Sequence, residues 1–97
     1  MVKIVWSDEA VEWLQDIYEY IAKENPSSAK RVIKQIYERV QILQNFPQIG
    51  YRYEKVEVEV RILLYGHYRI AYLYEENRQT LTILGIFHGA LAIERYL

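Results

Sequence analysis

The hydrophobic pattern of this chain changes period near Gly50, and that change limits what it can fold into more than any other feature. Before it, apolar residues recur every three to four positions. Ala10, Leu14, Ile17 and Ile21 make one stripe, widened by Trp13 and Tyr20; Ala29, Val32, Ile33, Ile36, Val40 and Leu43 make a second. Both describe amphipathic helices with one face to bury. After it the period is two. Val56, Val58, Val60, Ile62 and Leu64 alternate with Glu57, Glu59, Arg61 and Leu63, the pattern of a strand with one buried face. Helices followed by strands predict an α+β domain.

Local chemistry supplies the boundaries. Residues 2–6 are rich in β-branched and aromatic side chains and predict a first strand. Ser7 or Asp8 can cap the helix that follows, with Asp8 and Glu9 suitably acidic for its first turn. Asn25-Pro26 is both a stop and a restart, because proline cannot continue the first helix but suits position N1 of a second capped by Asn25. So short a joint predicts an antiparallel helical hairpin, ending near Phe46-Pro47. Gly66-His67 is a turn, Tyr68 to Tyr74 a strand, Glu76-Asn77-Arg78 a turn and Thr80 to Phe87 a strand. The tail, Gly89 to Leu97, is expected to form a short closing helix. The order is β-α-α-β-β-β in one domain, 1–97. The hairpin packs on one face of a mostly antiparallel four-stranded sheet, whose other face stays free for a partner or target.

Composition removes several function classes. Hydrophobic residues at 52% and charged residues at 26% describe a globular chain, not a disordered one. With no cysteine there is no disulfide framework and no thiolate metal site, which fits a reducing compartment. The start of the chain has no apolar signal core, and no apolar run reaches the ~20 residues that span a bilayer. The chain reads as soluble and cytoplasmic, without a membrane role. A net charge of −1 argues against a general nucleic-acid binder, because phosphate neutralisation supplies most of the affinity of such domains. No cofactor or metal is expected, since His67 and His88 are the only histidines and no carboxylate spacing joins them. No glycine-rich phosphate loop or nucleophile motif is present. Six of the ten tyrosines fall between Tyr51 and Tyr74, and a large apolar ring with a polar tip suits half-buried surfaces and interfaces.

Several segments together resemble the RelE/ParE toxin superfamily along nearly the whole chain. They are Trp6-Ser7-Asp8-Glu9-Ala10, Asn25-Pro26, Leu43-Gln44-Asn45-Phe46-Pro47-Gln48-Ile49-Gly50, Val60-Arg61, Tyr65-Gly66-His67-Tyr68-Arg69-Ile70-Ala71-Tyr72 and Ile83-Leu84-Gly85-Ile86-Phe87-His88-Gly89-Ala90. The pattern looks nearer the ParE-like branch than the lysine-rich RelE branch. The resemblance implies the toxin of a bacterial type II toxin–antitoxin pair. In that superfamily RelE-like members cut messenger RNA in the ribosomal A site, ParE-like members inhibit DNA gyrase, and an antitoxin wraps over either kind.

The resemblance also implies a site. Arg61 and Arg69 match the family's basic positions on the central strands, and His88 matches its basic position at the end of the last strand. RNA cleavage by a ribose 2′-hydroxyl needs a proton removed, phosphoryl charge stabilised and a leaving oxygen protonated. Arginine suits the charge and histidine the proton transfers. The implied roles are two phosphate grips and an acid/base in a metal-independent endoribonuclease. The structural readings are an Arg61 ion pair with Glu57 or Glu59, an Arg69 closing a polar edge, and a histidine satisfied at a strand end. Turn length separates the two. A two-residue Gly66-His67 turn pairs Leu64 with Arg69 and puts Arg61 and Arg69 on opposite faces; a three-residue loop puts them on one face.

Departures from the family pattern favour a protein target. Many relatives follow the histidine with arginine and an acidic residue, but here the chain reads His88-Gly89-Ala90-Leu91-Ala92. No lysine pair precedes Arg61, and Glu57 and Glu59 would repel phosphate. The expected function is a ParE-like toxin acting on DNA gyrase, neutralised by a cognate antitoxin. The alternatives are a ribosome-dependent mRNA endoribonuclease and a non-toxic binding module. Tyr65, Tyr68, Tyr72, Arg95 and Tyr96 are candidate partner-binding residues, the tyrosines also being suited to fill the gap between sheet and helices. Assembly as a homodimer or as a toxin–antitoxin hetero-oligomer is expected.

Overall fold

Ser7 ends strand β1 (Lys3–Trp6) and starts helix α1 (Asp8–Ala22) in the computed structural model, which describes residues 1–88. Its hydroxyl oxygen accepts the amide of Ala10 at 3.1 Å, filling the N-cap role. Asn25 does the same for helix α2 (Pro26–Gln41), accepting the amide of Ser28 at 3.0 Å, with Pro26 at the first helical position. A single 3₁₀ turn, Ile42–Gln44, ends the hairpin. Strands β2 (Tyr51–Arg52), β3 (Val60–Tyr65), β4 (Tyr68–Glu75) and β5 (Thr80–His88) follow. Among the described residues no helix is long and apolar enough to cross a membrane.

The described strands form one five-stranded sheet in the order β1-β5-β4-β3-β2, with β1 parallel to β5 and the other neighbours antiparallel. The sequence had suggested four strands. The fifth, β2, is two residues long, too short to show a period. The strand expected from Val56 begins instead at Val60. Residues 54–59 form a loop between β2 and β3, fastened by Tyr53 N donating to the Val60 carbonyl at 2.8 Å. The alternation of Val56 to Glu59 is present, but β4 pairs with β3 only as far as Leu73↔Val60, so these residues lack a backbone neighbour. The expected closing helix, 89–97, lies outside the described residues.

Two apolar layers result. The larger sits between sheet and hairpin, where Leu63, Ile70, Tyr72, Leu81, Ile83 and Ile86 meet Ala10, Ile36, Val40 and Leu43. The second lies on the opposite face: Val60, Ile62, Ala71 and Phe87 are buried there, covered by Trp13, Tyr53, Val56 and Leu84. The expectation of a free second face is therefore corrected. The loop after β2 and a tryptophan from α1 cover its middle, and Leu64, 49% exposed, marks its open margin. Trp13 reaches that face because β1 pairs with β5 only up to Trp6↔Ile83. Beyond that point the Ser7 hydroxyl donates to the Leu84 carbonyl at 3.4 Å, α1 packs against β5, and Trp13 meets Phe87 edge-on at 5.0 Å.

Candidate functional site

The turn between β3 and β4 decides how the implied site is built. Gly66 adopts φ +55°, Tyr65 faces Tyr68 and Leu64 faces Arg69. This is the two-residue register. Arg61 pairs with Tyr72 on the helix-covered face, while Arg69 points from the opposite one. The strands do not bring the two arginines together as a joint phosphate grip.

Each arginine also has an intramolecular task. Arg61 donates from Nη1 to the carbonyls of Gly50 at 2.8 Å and Gln48 at 3.2 Å, and its Nη2 lies 3.4 Å from Glu59 Oε1. Tyr72 completes the clamp, accepting the Gly50 amide at 3.0 Å and donating to the Pro47 carbonyl at 2.8 Å. Gly50 is needed here for space. A Cβ at that position would lie 2.7 Å from the Ile62 carbonyl oxygen and 2.8 Å from the Tyr72 hydroxyl. Tyr72 is fully buried, and burial pushes its phenol pKa up against the lowering effects of the Gly50 hydrogen bond and the Arg61 charge. Arg69 donates to the Tyr51 hydroxyl at 2.8 Å across the other face.

His88 is exposed at the end of β5, opposite Tyr68 in the register. The rings of Tyr68 and His67 approach it edge-on, with centroids 5.5 and 6.0 Å away. Tyr68 and His88 face a cleft of about 430 Å³ whose other wall is α1, through Trp13, Ile17, Tyr20 and Ile21. The carboxylate of Asp16 stands on that wall. Burial pushes the Tyr68 phenol pKa up, with the neighbouring Tyr20 and Tyr65 adding to the shift. The cleft therefore offers aromatic faces, one carboxylate and one imidazole, but neither arginine lines it.

The candidate partner-binding tyrosines are placed differently from one another: Tyr68 lines the cleft, whereas Tyr65 and Tyr72 are engaged within the fold. Tyr65, Tyr68 and Tyr72 all belong to the face covered by the helices. Tyr72 has no accessible surface to offer a partner, and Tyr65 donates its hydroxyl proton to Gln35 Oε1 of α2. Arg95 and Tyr96 lie outside the described residues. The sequence reading missed the α1 wall of the cleft. Tyr20 widens the stripe expected to be buried but is 78% exposed, and Asp16 carries no motif that singles it out in the sequence. The usable signal was the excess width of that stripe, since a helix covering one sheet face needs fewer large residues. Among the described residues no group of three or more His, Cys, Asp or Glu side chains is placed to hold a metal ion.

Comparison with known proteins agrees with this architecture. No curated protein sequence matches the chain. By fold it is similar to a chain of the chromosomal ParDE TA system from P. aeruginosa, at TM-score 0.77 and 24% identity, covering 93% of this chain and 98% of that one. It is similar too to a chain of the toxin–antitoxin complex RelBE2 from Mycobacterium tuberculosis, at 0.69 and 19%, covering 91% and 98%. The isolated E. coli RelE toxin superposes over all of both chains at 0.65 and 11%. The family model described as the ParE toxin of the type II toxin–antitoxin system parDE matches residues 4–92. This chain belongs to the ParE toxin family, within the RelE/ParE superfamily of type II toxin–antitoxin toxins.

Proposed function

We propose that this toxin arrests growth by binding DNA gyrase, in the ParE manner, and that a cognate antitoxin neutralises it. The observation that carries the choice of target is the separation of Arg61 from Arg69. A phosphoryl-transfer site needs its cationic groups converging on one phosphate. Here the two arginines leave opposite faces of the sheet, and Arg61 is held by the carbonyls of Gln48 and Gly50. The chain's net charge of −1 adds no general attraction to RNA. The match to the ParE family model supports the same choice, and the likeness to chains of the ParDE system and the RelBE2 complex supports an antitoxin partner.

Expression of the toxin alone in a bacterial host tests this reading. Filamentation with gyrase-dependent DNA damage is the expected result, reversed by co-expression of the cognate antitoxin. Rapid translation arrest with cleavage of A-site codons, lost on His88→Ala, would replace it with the endoribonuclease reading. Normal growth would leave only a non-toxic binding module.

A further inference from the structure

The two helices of the hairpin carry opposite charge. Helix α1 bears Asp8, Glu9, Glu12, Asp16 and Glu19, all exposed, and no lysine or arginine. Helix α2 bears Lys30, Arg31, Lys34 and Arg39 against the single carboxylate of Glu38. Among the described residues none of the five α1 carboxylates is paired with a cation. The cleft between α1 and the ends of β4 and β5 opens beside this acidic surface, with Asp16 on its wall.

Its lining is amphipathic in a particular way. Ile17 and Ile21 supply apolar surface, while Trp13, Tyr20 and Tyr68 supply aromatic surface around the Asp16 carboxylate. A ring face attracts a cation by its quadrupole, and a guanidinium is planar enough to stack on a ring while its N–H groups reach a carboxylate. The surrounding carboxylates repel phosphate, which disfavours nucleic acid or an anionic membrane at this surface.

We propose that the cleft is a docking site for an arginine-bearing segment of a protein partner. The arginine's methylene stem lies against Ile17 and Ile21, and its guanidinium sits between Asp16 and the aromatic side chains. The acidic face of α1 draws the rest of the basic segment towards it. This rests on the reading that the toxin works through protein partners. Its test, however, is a binding measurement that does not depend on growth arrest.

The probe is an acetylated, amidated heptapeptide alternating leucine and arginine, titrated calorimetrically into the whole chain. Two variants change the charge equally, Asp16→Lys in the cleft and Glu57→Lys in the loop before β3. The first is expected to weaken binding about tenfold or more and the second less than about twofold. Tyr20→Ala, at an exposed position where folding is not at stake, is expected to weaken it as well. Equal losses for the two lysine variants would overturn the proposal. So would equal binding of the peptide with glutamate in place of arginine, or stronger binding of a single-stranded RNA heptamer. A toxin that fails to arrest growth yet binds the peptide in this pattern would overturn the proposed function and leave the docking site standing.

Discussion

The hydroxyl of Tyr72 and the amide of Gly50 are 3.0 Å apart, joined by a hydrogen bond that spans 22 residues of sequence. The same hydroxyl donates to Pro47 at 2.8 Å, and Arg61, the cross-strand neighbour of Tyr72, takes the carbonyls of Gln48 and Gly50. Two side chains from the centre of the sheet thus hold residues 47–50 in the conformation that leads into β2. Tyr72→Phe keeps the ring and removes the hydroxyl, leaving the buried Gly50 amide without its acceptor. The expected loss is about 1–3 kcal/mol in urea unfolding. A variant within about 0.5 kcal/mol of the parent would show that the loop does not depend on this bond.

Alkaline pH should weaken the fold. Burial raises the phenol pKa of both Tyr68 and Tyr72 above the usual 10.0, so the folded chain keeps protons that the unfolded chain releases. Their contribution is complete below pH 10.0 and is lost as pH rises through the folded-state values. Unfolding free energies measured at about pH 8 and about pH 10.5 are expected to show a decline, which the Tyr68→Phe/Tyr72→Phe double variant reduces. An equal decline in that double variant would place the sensitivity in other groups.

The two arginines should separate in a stability assay. Arg61 makes two backbone hydrogen bonds and is largely shielded, whereas Arg69 makes one exposed bond to a tyrosine hydroxyl. Arg61→Ala is expected to cost about 1–3 kcal/mol, and Arg69→Ala less than about 1 kcal/mol. The reverse order in thermal or denaturant unfolding would contradict the clamp. The comparison also guards the functional assay, because lost toxicity in an Arg61 variant would otherwise pass for a lost catalytic group.

How much of this was legible depended on how local its cause is. The caps at Ser7 and Asn25, the proline at position 26 and the Gly66-His67 turn were readable because each is decided by a few neighbouring atoms. The pairing of Arg61 with a loop eleven to thirteen residues earlier was not. No pattern in Val60-Arg61 announces that Gln48 and Gly50 return to it. The alternation from Val56 misled for a related reason. It reports which side chains prefer burial, but a strand also needs a neighbour for its backbone, and β4 supplies one only from Leu73 towards Tyr68. The α1 wall of the cleft stayed hidden because periodicity cannot distinguish a tyrosine facing the core from one facing a groove beside it.

Gly85 and Phe87 supply a test on the second face of the sheet. They are two positions apart on β5 and share that face, and a Cβ on Gly85 would lie 2.6 Å from the Phe87 ring carbon Cζ. Phe87 has little room to give way, being 2% exposed with Trp13 against it at 5.0 Å. Gly85→Ala is therefore expected to destabilise by about 1–3 kcal/mol through overpacking. Phe87→Leu alone removes ring contacts and also destabilises. Together, however, the new methyl occupies space that the ring has vacated. The double variant should be more stable than the sum of the single effects predicts, by about 1 kcal/mol or more in a double-mutant cycle. Strict additivity would mean that the ring does not rest over Gly85 in solution, and that Trp13, which meets the same ring, needs another route to the covered face.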